Sequence, residues 1–305
     1  MACQQIPEDQ KSVYTCASPT QGRAAAMCFA AGDRIYIAGG RIQDGTYPNT
    51  LLLYSPTTDT WTESDSLPLL PRVNGTACAT EQGVFLGLGY AGEDVHYDSL
   101  YLHDWWRFDP ATDTWTRLAD YPAPQTTAAV SWYDGARIWI ACAFHAYTND
   151  VWYYDISANR WTQASQPSPM RVMAAVGAQC QGRWFIGTGF HNYSQNEWYE
   201  WTADEQWTRR ASVPGKGRHN AACAATEEAV YVLGGWHYGD SLTTGFHYED
   251  ILRYTPQSDS WTYCGTIPCG KTENGVACGI KNRLYFGLGE DPSGQIHNDW
   301  YYIED

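Results

Sequence analysis

Five basic residues and a glutamine recur at what read as corresponding points of the chain: Arg23, Arg72, Gln125, Arg171, Arg218 and Lys271. The whole chain holds 19 Lys+Arg against 34 Asp+Glu, a formal charge of −15 at pH 7. A ring of cations on so acidic a body focuses an anionic ligand toward it. Arginine suits carboxylate or phosphate, because its planar fork bonds two oxygens at once. The alternative for each cation is a structural bond to a neighbouring carbonyl or carboxylate. Two residues further on stand Asn74, Asn220 and Glu273. Glu273 is the one carboxylate of this ring, close after a cationic position. It can act as a general base or simply neutralise its neighbours.

A second set of corresponding positions carries aromatic rings with polar tips. Phe144-His145, Phe190-His191 and Trp236-His237 follow one another at intervals of 46 and 46, and Tyr90 occupies the same point of another unit. A flat ring covers the C–H face of a sugar while an adjacent imidazole bonds its hydroxyls. Three histidines in equivalent places can also converge on a metal, but all three nitrogens must then come within about 2.1 Å of one ion. Units that fan outward from an axis disfavour that, so no metal or cofactor is expected. His191 and His237 join Glu273 as candidate acid–base residues.

These positions hang on a repeat. Six apolar runs end in small residues: Ile35–Gly40, Val84–Gly89, Ile138–Ala143, Trp184–Gly189, Val230–Gly235 and Leu284–Gly289. Each of the first five is followed by an aromatic (Tyr54, Phe108, Tyr154, Trp201, Tyr254), a tight turn and a tryptophan (Trp61, Trp115, Trp161, Trp207, Trp261). A period of about 45–50 residues with four short strands in each unit means propeller blades. The expectation is an all-β, six-bladed propeller forming one domain over residues 1–305, with blades beginning near 23, 72, 125, 171, 218 and 271. The last unit lacks its tryptophan strand. A strand at about 12–17, Val13-Tyr14-Thr15-Cys16, supplies one, so the N-terminus completes blade 6 and closes the ring, which removes exposed sheet edges.

Loop lengths single out two blades. From the end of the small-residue strand to the tryptophan is 26 residues in blades 2 and 5 but 18 in blades 3 and 4. The two insertions share a pattern, His96-Tyr97-Asp98-Ser99-Leu100 against His237-Tyr238-Gly239-Asp240-Ser241-Leu242, and continue with Tyr101, His103 and Trp105 or Phe246, His247 and Tyr248. They read as two aromatic walls facing each other across the channel mouth. Long loops on such a face usually serve function.

Composition excludes other classes. The acidic charge disfavours nucleic acid and anionic membranes as partners. No stretch of 18 apolar residues predicts a membrane span. Ten cysteines in 305 residues are too few for a disulfide scaffold. Cys28, Cys78, Cys223 and Cys278 read as equivalent buried small hydrophobes, and Cys264 and Cys269 can pair only after export. The start Met1-Ala2-Cys3-Gln4 is similar to the mature start of a bacterial lipoprotein, with Cys3 as lipid anchor and a periplasmic or cell-surface location. An ordinary cytoplasmic start is the alternative.

The strand ending in Gly-Gly, the Tyr six or seven residues before a Trp, and the closing proline (Pro68, Pro122, Pro214, Pro268) resemble the kelch repeat over essentially the whole chain. The resemblance implies a binding face built from the loops entering each first strand and leaving each second. Ligand-binding residues are then Arg23, Arg72, Asn74, Arg171, Arg218, Asn220, Lys271, Tyr90, Phe144, His145, Phe190 and Trp236, with Glu273, His191 and His237 catalytic. Galactose oxidase-type copper enzymes and iron-holding plant specifier proteins share the repeat. Their ligand sets are not matched here: Tyr-His runs are reversed, and Asp94, Asp98 and His103 miss the second interval. By fold and blade count the chain resembles bacterial stand-alone propellers of the sialic-acid mutarotase (N-acetylneuraminate epimerase) type. That implies a small anionic sugar as partner and cofactor-independent opening of its hemiacetal by general acid and base. The alternative is a non-catalytic module that binds a glycan or a protein.

Overall fold

The structure, a computed structural model, describes residues 6–64, 67–92, 100–123, 126–143, 149–202, 204–239 and 243–305. Six four-stranded antiparallel sheets surround a central channel. Blade 1 runs Met27–Ala31, Arg34–Ala38, Leu51–Ser55 and Thr60–Glu63 from the axis outward, and blade 2 runs Thr76–Thr80, Gly83–Gly87, Trp105–Asp109 and Thr114–Arg117. Blades 3, 4 and 5 repeat the order from Val130–Tyr133, Val176–Cys180 and Ala222–Ala225. Blade 6 takes Val276–Ile280, Arg283–Gly287 and Trp300–Glu304 from the C-terminal end and Tyr14–Thr15 from the N-terminal end, pairing Tyr14 with Tyr302 and Thr15 with Tyr301. Second strands such as Ile35-Tyr36-Ile37-Ala38 are buried on both faces, because a neighbouring blade packs against each side.

The blades are fastened in pairs. In blades 1, 3 and 5 the third-strand tyrosine hydroxyl (Tyr54, Tyr154, Tyr254) donates to Oδ1 of Asp59, Asn159 or Asp259 at 2.7–2.8 Å. The same oxygen accepts the backbone N–H of Ala17, Ala119 or Ala211 from the preceding blade. Trp61, Trp161 and Trp261 donate Nε1–H to the carbonyl of that alanine. The preceding blade answers with Trp300, Trp105 or Trp198, fully buried, meeting the indole across the joint at 5.3–5.5 Å in edge contact. Each such ring pair adds about 0.5–1.5 kcal/mol beyond area burial. Three two-blade units therefore repeat around the ring: 6 with 1, 2 with 3, and 4 with 5.

The N-terminal segment does more than supply one strand. Asp9 and Lys11 donate backbone bonds to Tyr263 and Cys264, and Tyr263 donates to Pro7, so the segment first lies parallel to the outer strand of blade 5. It then crosses to blade 6, and its strap ties the two blades together. Two sequence expectations change in detail. Cys28 and Cys223 are second in their strands and half-buried, whereas Cys78 and Cys278 are third and buried, so the four are not equivalent. Cys264 and Cys269 are both free thiols, with Cys264 in the core. Cys3 lies outside the described residues. Among the described residues, no helix is long and apolar enough to cross a membrane.

Candidate functional site

Each chain segment entering a first strand turns through one residue of positive φ: Ala25, Asn74, Ala128, Ala174, Asn220 and Asn274, all at 51–56°. These six residues pass backbone hydrogen bonds from blade to blade. Asn74 N–H donates to Ala25 O, Ala128 to Asn74, Ala174 to Ala128, Asn220 to Ala174, Asn274 to Asn220 and Ala25 to Asn274, at 2.8–3.3 Å. The result is a closed collar around the channel. Below it the first strands line a cavity of about 220 Å³ mostly with small residues (Ala, Gly, Ser, Thr, Cys), joined by Met27, Val130, Val176 and Val276. The small residues ending each second strand are needed here too. A Cβ on Gly89, at φ +93°, would stand 2.6 Å from the Val73 carbonyl.

The residue before the collar faces the mouth: Ala24, Val73, Met173, His219 and Glu273, paired across antiparallel bridges with Arg41, Tyr90, Phe190, Trp236 and Glu290. The residue before that points the other way and is enclosed: Arg23, Arg72, Thr126, Val172, Arg218 and Thr272, all at most 5% exposed. This alternation corrects the sequence reading. Arg23, Arg72 and Arg218 do not reach the channel. Arg218 bonds Gly234 O and both oxygens of Asp250 at 2.6 and 2.9 Å, and lies 3.6 Å over the Tyr248 ring. Arg72 bonds Leu88 O and both oxygens of Asp104. Arg23 bonds Gly39 O, Thr50 and Glu63. Burial lowers its pKa to about 10, against the pull of Glu63. These arginines lock second strand to third within a blade. Arg171 and Lys271 are one residue out of register with them and are exposed, and Val172 and Thr272 hold the equivalent places. Gln125, Phe144, His145 and the loop residues 93–99 and 240–242 lie outside the described residues.

The mouth gathers its polar groups at blades 5 and 6. Glu273 Oε2 accepts from Asn220 Nδ2 at 2.9 Å, and Glu273 Oε1 lies 3.0 Å from His247 Nε2. Both side chains are 15% exposed, open to the mouth yet shielded on most sides. His247 is held parallel to Trp236, with centroids 5.7 Å apart, by the short hairpin Trp236–His237/Phe246–His247. Trp236, His219, Phe190 and Tyr238 continue as one aromatic wall with ring separations of 5.0–5.5 Å. Tyr238 and Tyr193 are the exposed rings at its rim. His219 is buried, with Nδ1 3.1 Å from Ser194 Oγ. Burial first, then the nearby His237 and His247, lower its pKa to about 4, so its ring is neutral at pH 7. Next to Glu273, Glu290 accepts from Asn274 Nδ2 and from Arg41.

Of the candidate residues, Glu273, Asn220, Trp236 and Phe190 meet here. His191 and His237 do not join Glu273: each ring turns Nδ1 to a backbone carbonyl, Arg171 O at 2.7 Å and Gly217 O at 2.8 Å, and His237 is buried. Tyr90 is buried against Tyr101. Asn74 contributes its backbone to the collar. His247 and Asn274 are the residues the pattern reading missed as site members. Asn274 is legible once blade 6 is aligned by its Asn-Gly turn, as in Asn74-Gly75. His247 depends on a hairpin pairing that no local motif announces. A larger cavity, about 900 Å³, opens on the opposite face among the hairpin turns of blades 1–4. Its Arg137 is held between Asp134 and Glu205, both at 2.9 Å. The mouth is the better site, because it sets a carboxylate against an imidazole beside an aromatic wall.

Collar, blade count and Gly-ended second strands define a six-bladed kelch-type propeller. The family described as the KLHDC2/KLHL20/DRC7 Kelch-repeats domain matches residues 8–176, more than half of the chain, and the chain belongs to that family. It is 27% identical over 117 residues to kelch-like protein 35 of Mus musculus and 24% identical over 138 residues to beta-scruin of Limulus polyphemus. The aligned stretches cover 38% and 45% of this chain, but only 18% and 15% of those proteins. A solved structure described as "Structure of YjhT" superposes with a TM-score of 0.75 at 14% identity, over 95% of this chain and 99% of that one. At that identity the likeness establishes the fold.

Proposed function

We propose that the mouth binds a small sugar and that the Glu273–His247 pair catalyses its anomer exchange, as in a cofactor-independent mutarotase. The observation that carries this reading is the carboxylate–imidazole contact at 3.0 Å beside the parallel Trp236 ring. A sugar stacked on Trp236 and Tyr238 would present its hydroxyls to Asn220 and Glu273. Glu273 takes the proton of the anomeric hydroxyl, the ring C–O bond breaks, and His247, starting as the imidazolium, delivers its Nε2 proton to the ring oxygen and is left neutral with its Nδ1 proton. The open carbonyl form rotates and recloses by the reverse transfers, so no net proton, electron or cofactor is consumed. Such general acid–base help is worth about 10²–10⁴ in rate. Lys271 and Arg171, exposed in the loops entering blades 6 and 4, would meet a sugar carboxylate.

The test is binding of sialic, glucuronic and galacturonic acids with neutral sugars as controls, followed by NMR exchange between anomers. Acceleration lost in Glu273→Gln and His247→Gln, with binding retained, supports the reading. Binding without acceleration leaves a glycan-capture module. No sugar binding overturns the carbohydrate assignment altogether.

A further inference from the structure

Blade 6 breaks the arginine lock in an informative way. In blades 2 and 5 the carboxylate at the start of the third strand, Asp104 or Asp250, bonds a buried arginine. Each also accepts, at its backbone carbonyl, the N–H of the residue just past the second strand: Asp104 O accepts from Leu88 N, and Asp250 O from Gly234 N. Asp299 occupies that place in blade 6, where its carbonyl accepts from Leu288 N. The arginine that should meet it is Thr272. Blade 6, like blade 4 with Glu197 and Val172, has the carboxylate without the arginine.

Two other ligand-type side chains lie beside Asp299, and the Tyr301 hydroxyl bonds both Asp299 and Cys269. Cys269, from the loop that enters blade 6, and His297, two residues before Asp299, bring one ligand atom each to within 4.8 Å of an Asp299 oxygen and of one another. His297 Nδ1 lies 3.5 Å from Asp299 Oδ2. Two ligands about 2.0–2.1 Å from one zinc ion at tetrahedral angles stand roughly 3.3 Å apart, so that pair is already near its bound separation. On the far side of the ring His297 Nε2 is buried without a hydrogen bond, with an Asp291 oxygen 3.8 Å away. A carboxylate there is the usual outer partner of a metal-bound imidazole. Asp299 is 42% exposed, which leaves an open side for entry and for a water ligand.

We propose that Cys269, His297 and Asp299 form a binding site for a zinc-class divalent cation, which takes the place of the missing arginine and keeps a fourth position open to water. The donor set, one sulfur, one nitrogen and one oxygen, suits zinc or cobalt(II) rather than calcium or magnesium, which take oxygen. Burial, with the Asp299 charge adding to it, holds the Cys269 thiol above its ordinary range, while Thr272 pulls the other way. A bound cation reverses that and releases one proton as the thiolate forms. The site lies apart from Glu273 and His247, so it does not depend on the sugar reading.

The experiment is titration of the whole chelator-treated chain with cobalt(II) and then zinc. One equivalent should bind, with a thiolate-to-cobalt charge-transfer band that zinc abolishes. Cys269→Ser should lose the band, His297→Gln and Asp299→Asn should lose stoichiometric binding, and Asp291→Asn should weaken it roughly 10-fold. Circular dichroism shows that each variant is folded. No saturable binding overturns the proposal, as does binding without the charge-transfer band or binding unchanged in folded Cys269→Ser and His297→Gln.

Discussion

Arg218 and His219 are adjacent in sequence and belong to different parts of the protein. Arg218 faces into blade 5, fully enclosed and bonded to Asp250 and Gly234. His219 faces the aromatic wall of the mouth beside Trp236 and Phe190. The same division runs around the ring: the position four residues before each first strand is enclosed, an arginine lock in blades 1, 2 and 5 and Thr126, Val172 or Thr272 in the others, and the next faces the mouth. Extended backbone sends successive side chains to opposite faces. One residue of register therefore separates a structural cation from a site residue, and residue type alone cannot tell them apart. The acidic mouth is the consequence. The buried arginines are neutralised by Asp104, Asp250 and Glu63, and among the described residues the groups at the mouth include Glu273, Glu290 with its partner Arg41, imidazoles and amides.

The largest expected effect breaks the locking side of that comparison. Arg218→Met leaves Asp250 without its bidentate partner in a shielded site, which typically costs about 3–5 kcal/mol. Denaturant unfolding at pH 7 measures it, and adding Asp250→Asn should restore part of the loss, since the removed charge no longer needs a partner. A loss below about 1 kcal/mol would contradict the lock. The mouth side is sharpened by pH. Burial, then the nearby His237 and His247, lower the His219 pKa from the ordinary 6.5 to about 4. Between those values the unfolded chain binds a proton that the folded chain refuses. Stability is therefore full above pH 6.5, declines as pH falls toward 4, and loses nothing further from this group below that. The integrated loss is on the order of 3 kcal/mol. His219→Gln should flatten the pH 4–6.5 part of the stability curve. The fall below it remains, because Asp104, Glu200 and Asp305 sit below their ordinary range through hydrogen bonds and charges from arginines. A variant curve parallel to the wild type across pH 4–6.5 would show that His219 is not the group responsible.

The repeat was legible because it is written in large residues: six Gly- or Ala-ended strands and five tryptophans specify the blade count, and the missing sixth tryptophan points to the N-terminal strand. Register was not legible to the same degree. In blades 3, 4 and 6 a polar or basic residue (Gln125, Arg171, Lys271) stands immediately before the true equivalent of Arg23, so matching by charge slips the alignment by one. Counting back four residues from each first strand, or aligning Asn74-Gly75 with Asn274-Gly275, removes the slip. Glu273 survived it only because a lone carboxylate draws notice in any register. His247 was out of reach, since its approach to Glu273 depends on the hairpin fold of an insertion and on blades 5 and 6 meeting around the axis. The three-fold pairing of blades was written in Trp105, Trp198 and Trp300, which stand outside the tryptophan series that defines the repeat.

The smallest effect separates like residues. Arg171 and Lys271 carry the same charge as Arg218 but stand one position earlier in their loops, exposed to water. Surface substitutions of this kind change stability by no more than about 0.5 kcal/mol, so Arg171→Gln and Lys271→Gln should unfold like the wild type. Their work, if the mouth takes an acidic sugar, is electrostatic and solvent-screened. Each should then weaken binding of an acidic sugar by roughly two- to five-fold, equivalent to about 0.5–1 kcal/mol, leave neutral sugars unaffected, and lose that difference at high salt. Equal weakening of neutral and acidic sugars would show that the two residues shape the mouth rather than attract charge. A measurable loss of stability would place them with Arg218, and the one-residue division between lock and mouth would not hold in blades 4 and 6.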